Sequence, residues 1–507
     1  MGYPPGSGSI WEAAGEWQPL AALEGDRDVD VCVVGAGIAG MSTAYLLARA
    51  GKQVLVLERR CVGCGDTGVT TAHLSSAMDD GFGTLERLHG AKGLRLAWES
   101  HQAAIDFIDH TCREEGIDCD LVRLPGYLFL GPEDRPELLD RARDAAHRSG
   151  FGDVERLDSA PDALFDTGPC LRFPRQGRFH PLRYLQGLEA ALRKRGGELR
   201  RAAVTAVEGG TPATVRTEDG ATVRAGAVAV CTNVPIHHVL ATHLKQAPYI
   251  TYVIAAPLPG GKGGDALYWD TDEPYHYLRL QELDGRRMLV VGGEDHHAGE
   301  EQGTEAERWQ RLEAWTRARV PIGEVTHRWS GQVMEPADGL AFIGRDQSAG
   351  DNVYVATGDS GQGITHGTIA GMLISELVQG REHAWADLYD PGRKSLRAVK
   401  DLVTENVHVA RHYAEWVFGP PEAADSPQEI AAGSGAVVRR HGRPIAIYRD
   451  EQGALHERSA VCRHLGCIVH WNDAMKTWDC PCHGSRYAPT GEVLHGPARS
   501  DLATVDE

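Results

Sequence analysis

A chain of 507 residues, 42% of them hydrophobic, is long enough for about three domains with real cores. Its 71 acidic against 52 basic side chains leave a formal charge of −19 with no block of like charge, which argues against nucleic acid or an anionic lipid surface as partner. No stretch approaches the roughly 18 apolar residues of a membrane span, and the opening residues lack the basic and apolar regions of a signal peptide. Stable membrane insertion is therefore not expected, and the cytoplasm is. There, cysteines are expected as free thiols, and a local cluster of them points to metal.

The segment DVDVCVVGAGIAGMSTAYLLARAGKQVLVLE, residues 28–58, reads as strand, glycine turn, helix and strand. Val31 to Val34 is a short apolar run, and Met41, Ala44, Tyr45, Leu47 and Ala48 recur at helical spacing before Gly51 stops the helix. Gly35 permits a tight turn, Gly37 lets backbone approach a pyrophosphate, and Gly40 lets helix pack on strand. Glu58 ends the second strand, where a carboxylate can accept from a ribose. This context makes the segment a dinucleotide-binding βαβ unit.

Further along stand GCGDTGVTTAHLSS (63–76), HPLRYLQGLEAALRKRGGELRRAAVTAVEGG (180–210), VAVCTNVP (228–235), DGLAFIGR (338–345) and NVYVATGDSGQGITHGTIAGMLISELV (352–378). With the βαβ unit, these make residues 28–400 resemble the D-amino-acid-oxidase-like family of FAD oxidoreductases. The resemblance implies an α/β, Rossmann-like FAD-binding domain interleaved with an α+β substrate domain. Residues implied to hold FAD are Gly35, Gly37, Ile38, Ala39 and Gly40 in the first turn, and Glu58 and Arg59 after the second strand. Thr67, Thr70, Thr71, Ala72 and His73 in the second loop, Val204, Thr232 and Asn233, and Gly361, Gly363, Ile364 and Thr365 complete the set. Some relatives tether FAD covalently through a histidine in the loop that holds His73. No second glycine fingerprint suggests an NAD(P)H site. Cys61 and Cys64, like Cys32, Cys112, Cys119, Cys170 and Cys231, read as bystander thiols.

The implied substrate domain spans 76–164 and 241–334. In its first piece Leu94, Ala97, Ile105 and Ile108 form one apolar helix face. In YHYLRL, alternation places Tyr275, Tyr277 and Arg279 on one face of a strand and His276, Leu278 and Leu280 on the other. Tyr277, Arg279 and Tyr252 are the substrate-pocket candidates, the guanidinium suited to a carboxylate; a solvated or salt-bridged strand face is the competing reading. Trp329, Gln332 and Asp338 match a segment near the flavin.

After a helical stretch, residues 418–435 have the Pro, Ala, Gly and acid content of a linker, and short strands follow. There Cys462-x-His464 is followed, after fifteen intervening residues, by Cys480-x-x-His483. Zinc accepts the same ligand types, but its C-x₂₋₄-C and H-x₃₋₅-H spacings are absent. HLGC and CPCHGSRY resemble the loops of the Rieske family, which implies an all-β domain whose two cysteines and two histidines hold a [2Fe–2S] cluster. Cys467 and Cys482 match cysteines that form a disulfide in the Rieske proteins of quinol-oxidising cytochrome complexes. Ser485 and Tyr487 match hydroxyls that raise the potential towards the upper part of the range of about −150 to +300 mV. His470 matches no ligand position and reads as a surface residue.

The implied organisation is an FAD-binding domain (1–75, 165–240, 335–400), a substrate domain (76–164, 241–334), a helix and linker (401–430) and a Rieske domain (431–507), the last folding independently. The expected function is oxidation of the C–N bond of a small amine or amino acid by hydride transfer to FAD, with electrons leaving singly through the cluster. A one-electron redox protein or a quinone is the expected acceptor. Two other readings stay open: a reductase or oxygen-activating flavoenzyme fed through the cluster, and a non-catalytic electron-transfer or redox-sensing protein.

Overall fold

The structure, a computed structural model, describes residues 8–11, 19–78, 81–236, 244–260, 263–298, 304–394, 412, 416, 426–473 and 475–505. Most of the expected helix and linker at 401–430 lies outside the described residues.

The strand Arg27–Val34 runs parallel to Thr222–Val230 on one side and Val54–Glu58 on the other. Val353–Thr357 and Glu198–Arg201 continue the sheet outward, again parallel. Val31 to Val34 are all buried, as the continuous apolar run of a strand covered on both faces requires. The helices Ile38–Arg49 and Gly363–Val378 follow parallel strands, so both begin at the same sheet edge. They pass at backbone contact: a Cβ at Gly367 would lie 2.6 Å from Ile38 Cγ2, and one at Gly371 2.5 Å from Ser42 Cβ. The four-residue spacing of these glycines puts both on the crossing face.

A second sheet of nine strands has the order His327–Pro336, Gln246–Pro257, Arg286–His297, His276–Leu283, Leu267–Asp270, Val122–Phe129, Cys170–Arg178 and His73–Leu74, with Glu155–Leu157 paired to Cys170–Arg178. The strand Cys170–Arg178 falls in the stretch 165–240 expected in the FAD domain, yet it pairs antiparallel with Val122–Phe129. The chain returns to the first sheet only after it, through the helix Pro181–Lys194. The helix Phe82–Glu115 buries Leu94, Ala97, Ile105 and Ile108 as its periodicity predicts.

Asp338, expected near the flavin, instead closes a buried ion pair: Arg393 Nε and Nη2 donate to its two carboxylate oxygens at 2.8 and 2.7 Å. Burial, the largest single influence, would raise this carboxyl, but the Arg393 charge and hydrogen bonds, with His89 and the Leu340 backbone, together outweigh it and hold the group below the ordinary value. The stabilisation is therefore full above the ordinary carboxylate pKa and is lost as pH falls through the lower folded one. Asp338→Ala leaves the guanidinium buried and is expected to cost about 3–5 kcal/mol. Urea unfolding checks this, and an unchanged midpoint would contradict it.

At the C-terminal end, Ser434–Arg440, Arg443–Arg449 and Leu455–Ser459 form a three-stranded antiparallel sheet. His470–Asn472, Thr477–Asp479, Arg486–Tyr487 and Val493–His495 form a four-stranded one. Trp471, Trp478 and Tyr487 fill the core between them. This module packs against the flavin-binding part of the chain. Arg499 Nη1 donates to Thr205 O at 2.7 Å, and Arg59 Nη1 to Val493 O at 3.4 Å. His470, expected at the surface, is buried, its ring 5.8 Å from that of His412.

Candidate functional site

One cavity opens where the two helices begin, between the two sheets. Gly35 enters it at φ 100°, and a Cβ there would lie 2.4 Å from Cys231 O, so only glycine makes this turn. Gly37, Ile38 and Ala39 line the cavity at the first helix start, and Gly361, Gly363 and Ile364 at the other. Two helix N-termini thus favour negative charge in one place. Ala36 N and Arg60 N each donate at 2.9 Å to the Glu58 carboxylate, fixing it at the wall as an acceptor. Arg59, Thr67, Thr70, Thr71, His73, Val204, Thr232 and Asn233 also line the cavity.

Three expected FAD contacts stand behind this wall. Gly40 packs under the turn, where a Cβ would lie 1.9 Å from Gly35 O. Ala72 is buried at φ 56°, and Thr365 donates its hydroxyl to Gln362 O at 3.1 Å. Asn233, at φ 62°, donates Nδ2 to Asp66 Oδ2 at 2.7 Å. Cys61 and Cys64, read as bystander thiols, adjoin as a disulfide. The tight turn between them, with Cys64 N donating to Cys61 O at 3.2 Å, brings their Cα atoms to 5.4 Å, and Cys64 forms part of the wall. A glycine cradle, paired helix starts and a fixed carboxylate fit a dinucleotide such as FAD.

The second sheet contributes the opposite wall through Thr251, Val253, Trp269, Tyr275, Tyr277 and Gln332. Tyr277 Oη shares a 2.8 Å hydrogen bond with Thr251 Oγ1 and its ring meets His73 edge-on at 5.4 Å. Burial, then the Arg279 charge, push the His73 imidazole down to about 3, so it is neutral at ordinary pH. Asp359 also lines the cavity, accepts from Met334 N at 3.0 Å, and is pushed up to about 7 by burial.

Two substrate-pocket candidates are corrected. Arg279 shares the face of Tyr277 but lies beyond the cavity, fully buried under Trp11. It donates to Thr71 O at 2.6 Å, Leu280 O at 3.1 Å, Gln281 Oε1 at 2.9 Å and Phe179 O at 3.3 Å, so its donors serve the fold. Tyr252 is core, stacked 5.7 Å from His296 on the far side of its strand. Trp329 is core as well, donating Nε1 to Val69 O at 2.7 Å.

In the C-terminal module, Cys462 and His464 sit on one loop and Cys480 and His483 on another. The histidine rings are 5.0 Å apart and nearly perpendicular, Tyr487 Oη lies 3.3 Å from Cys462 Sγ, and the Cys462 and Cys480 thiols interact directly. The direct interaction of the two thiols holds Cys462 below its ordinary value and, with burial, Cys480 well above it, so the pair shares a proton that metal ligation would displace. Cys467 and Cys482 adjoin as a disulfide, Cα atoms 6.5 Å apart, which leaves them as loop ties rather than ligands. The two remaining cysteines and the two histidines fit a [2Fe–2S] cluster of Rieske type.

The two sites touch. Gly484, at φ 76°, follows His483, and a Cβ there would lie 1.9 Å from Gln332 Nε2 and 3.1 Å from Pro248 Cβ. Gln332 is thus shared between the cavity wall and the cluster loop. Leu494, His495 and Gly496 line the cavity from the C-terminal module. No local pattern marks them, since they match neither a glycine fingerprint nor a ligand position.

Comparison with known proteins agrees with this division. The family model described as FAD dependent oxidoreductase (DAO) matches residues 30–377, and that of the Rieske [2Fe-2S] domain residues 422–506. The Rieske 2Fe-2S iron-sulfur protein YhfW of Bacillus subtilis is 29% identical over 502 residues, covering 98% of this chain and 97% of that protein. Gamma-glutamylputrescine oxidoreductase of Escherichia coli is 29% identical over 408 residues, 76% of this chain and 93% of that one. Among solved structures, glycine oxidase from Geobacillus kaustophilus superposes with a TM-score of 0.61 at 18% identity, over 73% of this chain and 99% of that one. Among the described residues no helix is long and apolar enough to cross a membrane.

Proposed function

The chain belongs to the DAO family of FAD dependent oxidoreductases and carries a C-terminal Rieske domain, and from that premise we propose a dehydrogenase that oxidises the C–N bond of a small amine and exports the electrons through the Rieske module. FAD supplies a two-electron hydride acceptor and the cluster a one-electron outlet. The observation that carries this routing is the contact of Gly484, next to His483, with Gln332 in the cavity wall. An oxidase that passes electrons straight to oxygen has no use for such a contact.

The chain's own contribution is orientation and exclusion of water. The Thr251 hydroxyl fixes the Tyr277 phenol, and Tyr275 stacks on it with ring centroids 5.3 Å apart. Among the described residues, the wall from the second sheet presents phenols, Trp269 and Gln332 but no guanidinium or ammonium. This favours an amine over a free α-amino acid, whose carboxylate would seek a cation. Asp359, poised near neutrality by burial, is the carboxyl placed to take a proton from a substrate ammonium.

Anaerobic mixing with a panel of secondary amines, N-alkylated amino acids and γ-glutamylated diamines tests the reading. At least one is expected to bleach the flavin absorbance without any added donor, amines ahead of α-amino acids. Bleaching only by a reduced donor protein would overturn it in favour of the reverse flow.

A further inference from the structure

The last strand of the Rieske module, Val493–His495, and the turn after it are built into the dinucleotide cavity. Leu494, His495 and Gly496 share its wall with Glu58, Arg60 and Asp66. His495 Nδ1 lies 3.6 Å from Asp66 Oδ2, and the two side chains are only 12% and 17% exposed. Asp66 is itself fixed by Asn233, a residue of the flavin side. The two surfaces leave no gap: a Cβ on Gly65 would stand 3.7 Å from His495 Cε1, and one on Gly496 3.2 Å from Ile236 Cγ2. Hydrogen bonds from Arg59 to Val493 O and from Arg499 to Thr205 O pin the segment at both ends.

We propose that the FAD site is completed by the Rieske module: His495 is a cofactor-binding residue, and the segment 494–496 closes the cavity over the dinucleotide. Retention of FAD and retention of the cluster are then coupled. A group that binds only the docked arrangement stabilises it, and the coupling acts equally in both directions. This holds whichever way electrons flow, and it gives the fusion of the two domains a structural reason as well as an electronic one.

The test uses the full chain. His495→Ala removes a buried polar contact, so the FAD dissociation constant, read from flavin fluorescence, is expected to rise roughly five- to tenfold. His495→Asn should recover part of the loss. Arg499→Ala, which frees the end of the segment, should weaken FAD in the same sense, whereas Arg440→Ala on the module's exposed first strand should not. Stripping FAD should lower the urea concentration at which the cluster's visible circular dichroism disappears, and added FAD should restore it. If His495→Ala proves unable to hold its cluster, Arg499→Ala and the stripping experiment decide. FAD affinity at the wild-type level in Arg499→Ala, with cluster loss indifferent to FAD, would overturn the proposal.

Discussion

His483→Ala is expected to abolish steady-state turnover with an external one-electron acceptor while leaving reduction of the flavin by substrate intact. The imidazole lies 5.0 Å from that of His464, the paired histidine of the other loop, and a Rieske centre with one histidine missing lacks a ligand on its second iron. Wild-type protein should contain about two iron and two acid-labile sulfide per chain, and the variant little of either. Hydride transfer requires only the cavity, so stopped-flow bleaching with substrate should persist when FAD is kept saturating. Saturation matters because loss of the cluster is expected to loosen the segment 494–496 and with it the cofactor. Undiminished turnover in a cluster-free variant would remove the outlet role and leave the module a structural lid. Zinc without sulfide in the wild type would remove the Rieske centre altogether.

Gly40→Ala is expected to empty the flavin site. The position lies inside the first helix, two residues after its start, and the new Cβ would stand 1.9 Å from Gly35 O and 3.3 Å from Val33 Cγ1. Neither neighbour is a flexible side-chain end: one is the backbone of the turn, the other a buried strand residue. The helix must tilt or the turn must open, and overpacking of this kind costs about 1–3 kcal/mol. Because the displaced turn carries the backbone that faces the cofactor, FAD retention should fall on the order of a hundredfold, about 2.7 kcal/mol. Gly83→Ala, in the helix Phe82–Glu115 with nothing within 4 Å of the added Cβ, is the matching control and should bind FAD normally. Equal FAD affinity in the two variants would show that the close approach at Gly40 is unimportant.

The narrowing of substrate towards an amine rests on what faces the cavity rather than on any motif. Alternation correctly placed Tyr275, Tyr277 and Arg279 on one strand face, but a face is longer than a pocket. The end holding Arg279 is roofed by Trp11 and by the carbonyls of Thr71 and Phe179, from segments distant in the chain. Those carbonyls take the donors that a substrate carboxylate would need. Tyr252 shows the same limit, because its strand, Gln246–Pro257, is buried on both faces and packing alone chose which face met the cavity.

What the sequence determined by itself is the chemistry that a few consecutive residues can specify. The strand, glycine turn and helix at 31–49 need only local sterics and helix geometry, and the fold has them where the pattern puts them. The two cluster loops are likewise short, and each brings its own cysteine and histidine. The tertiary structure alone decided how these units meet: that Cys170–Arg178 joins the second sheet, that Gly484 rests on Gln332, and that His495 enters the dinucleotide cavity. Such contacts join residues as far apart as Arg59 and Val493, 434 positions along the chain. No periodicity or spacing records them, because they arise from the complementary shapes of surfaces that exist only after each unit has folded.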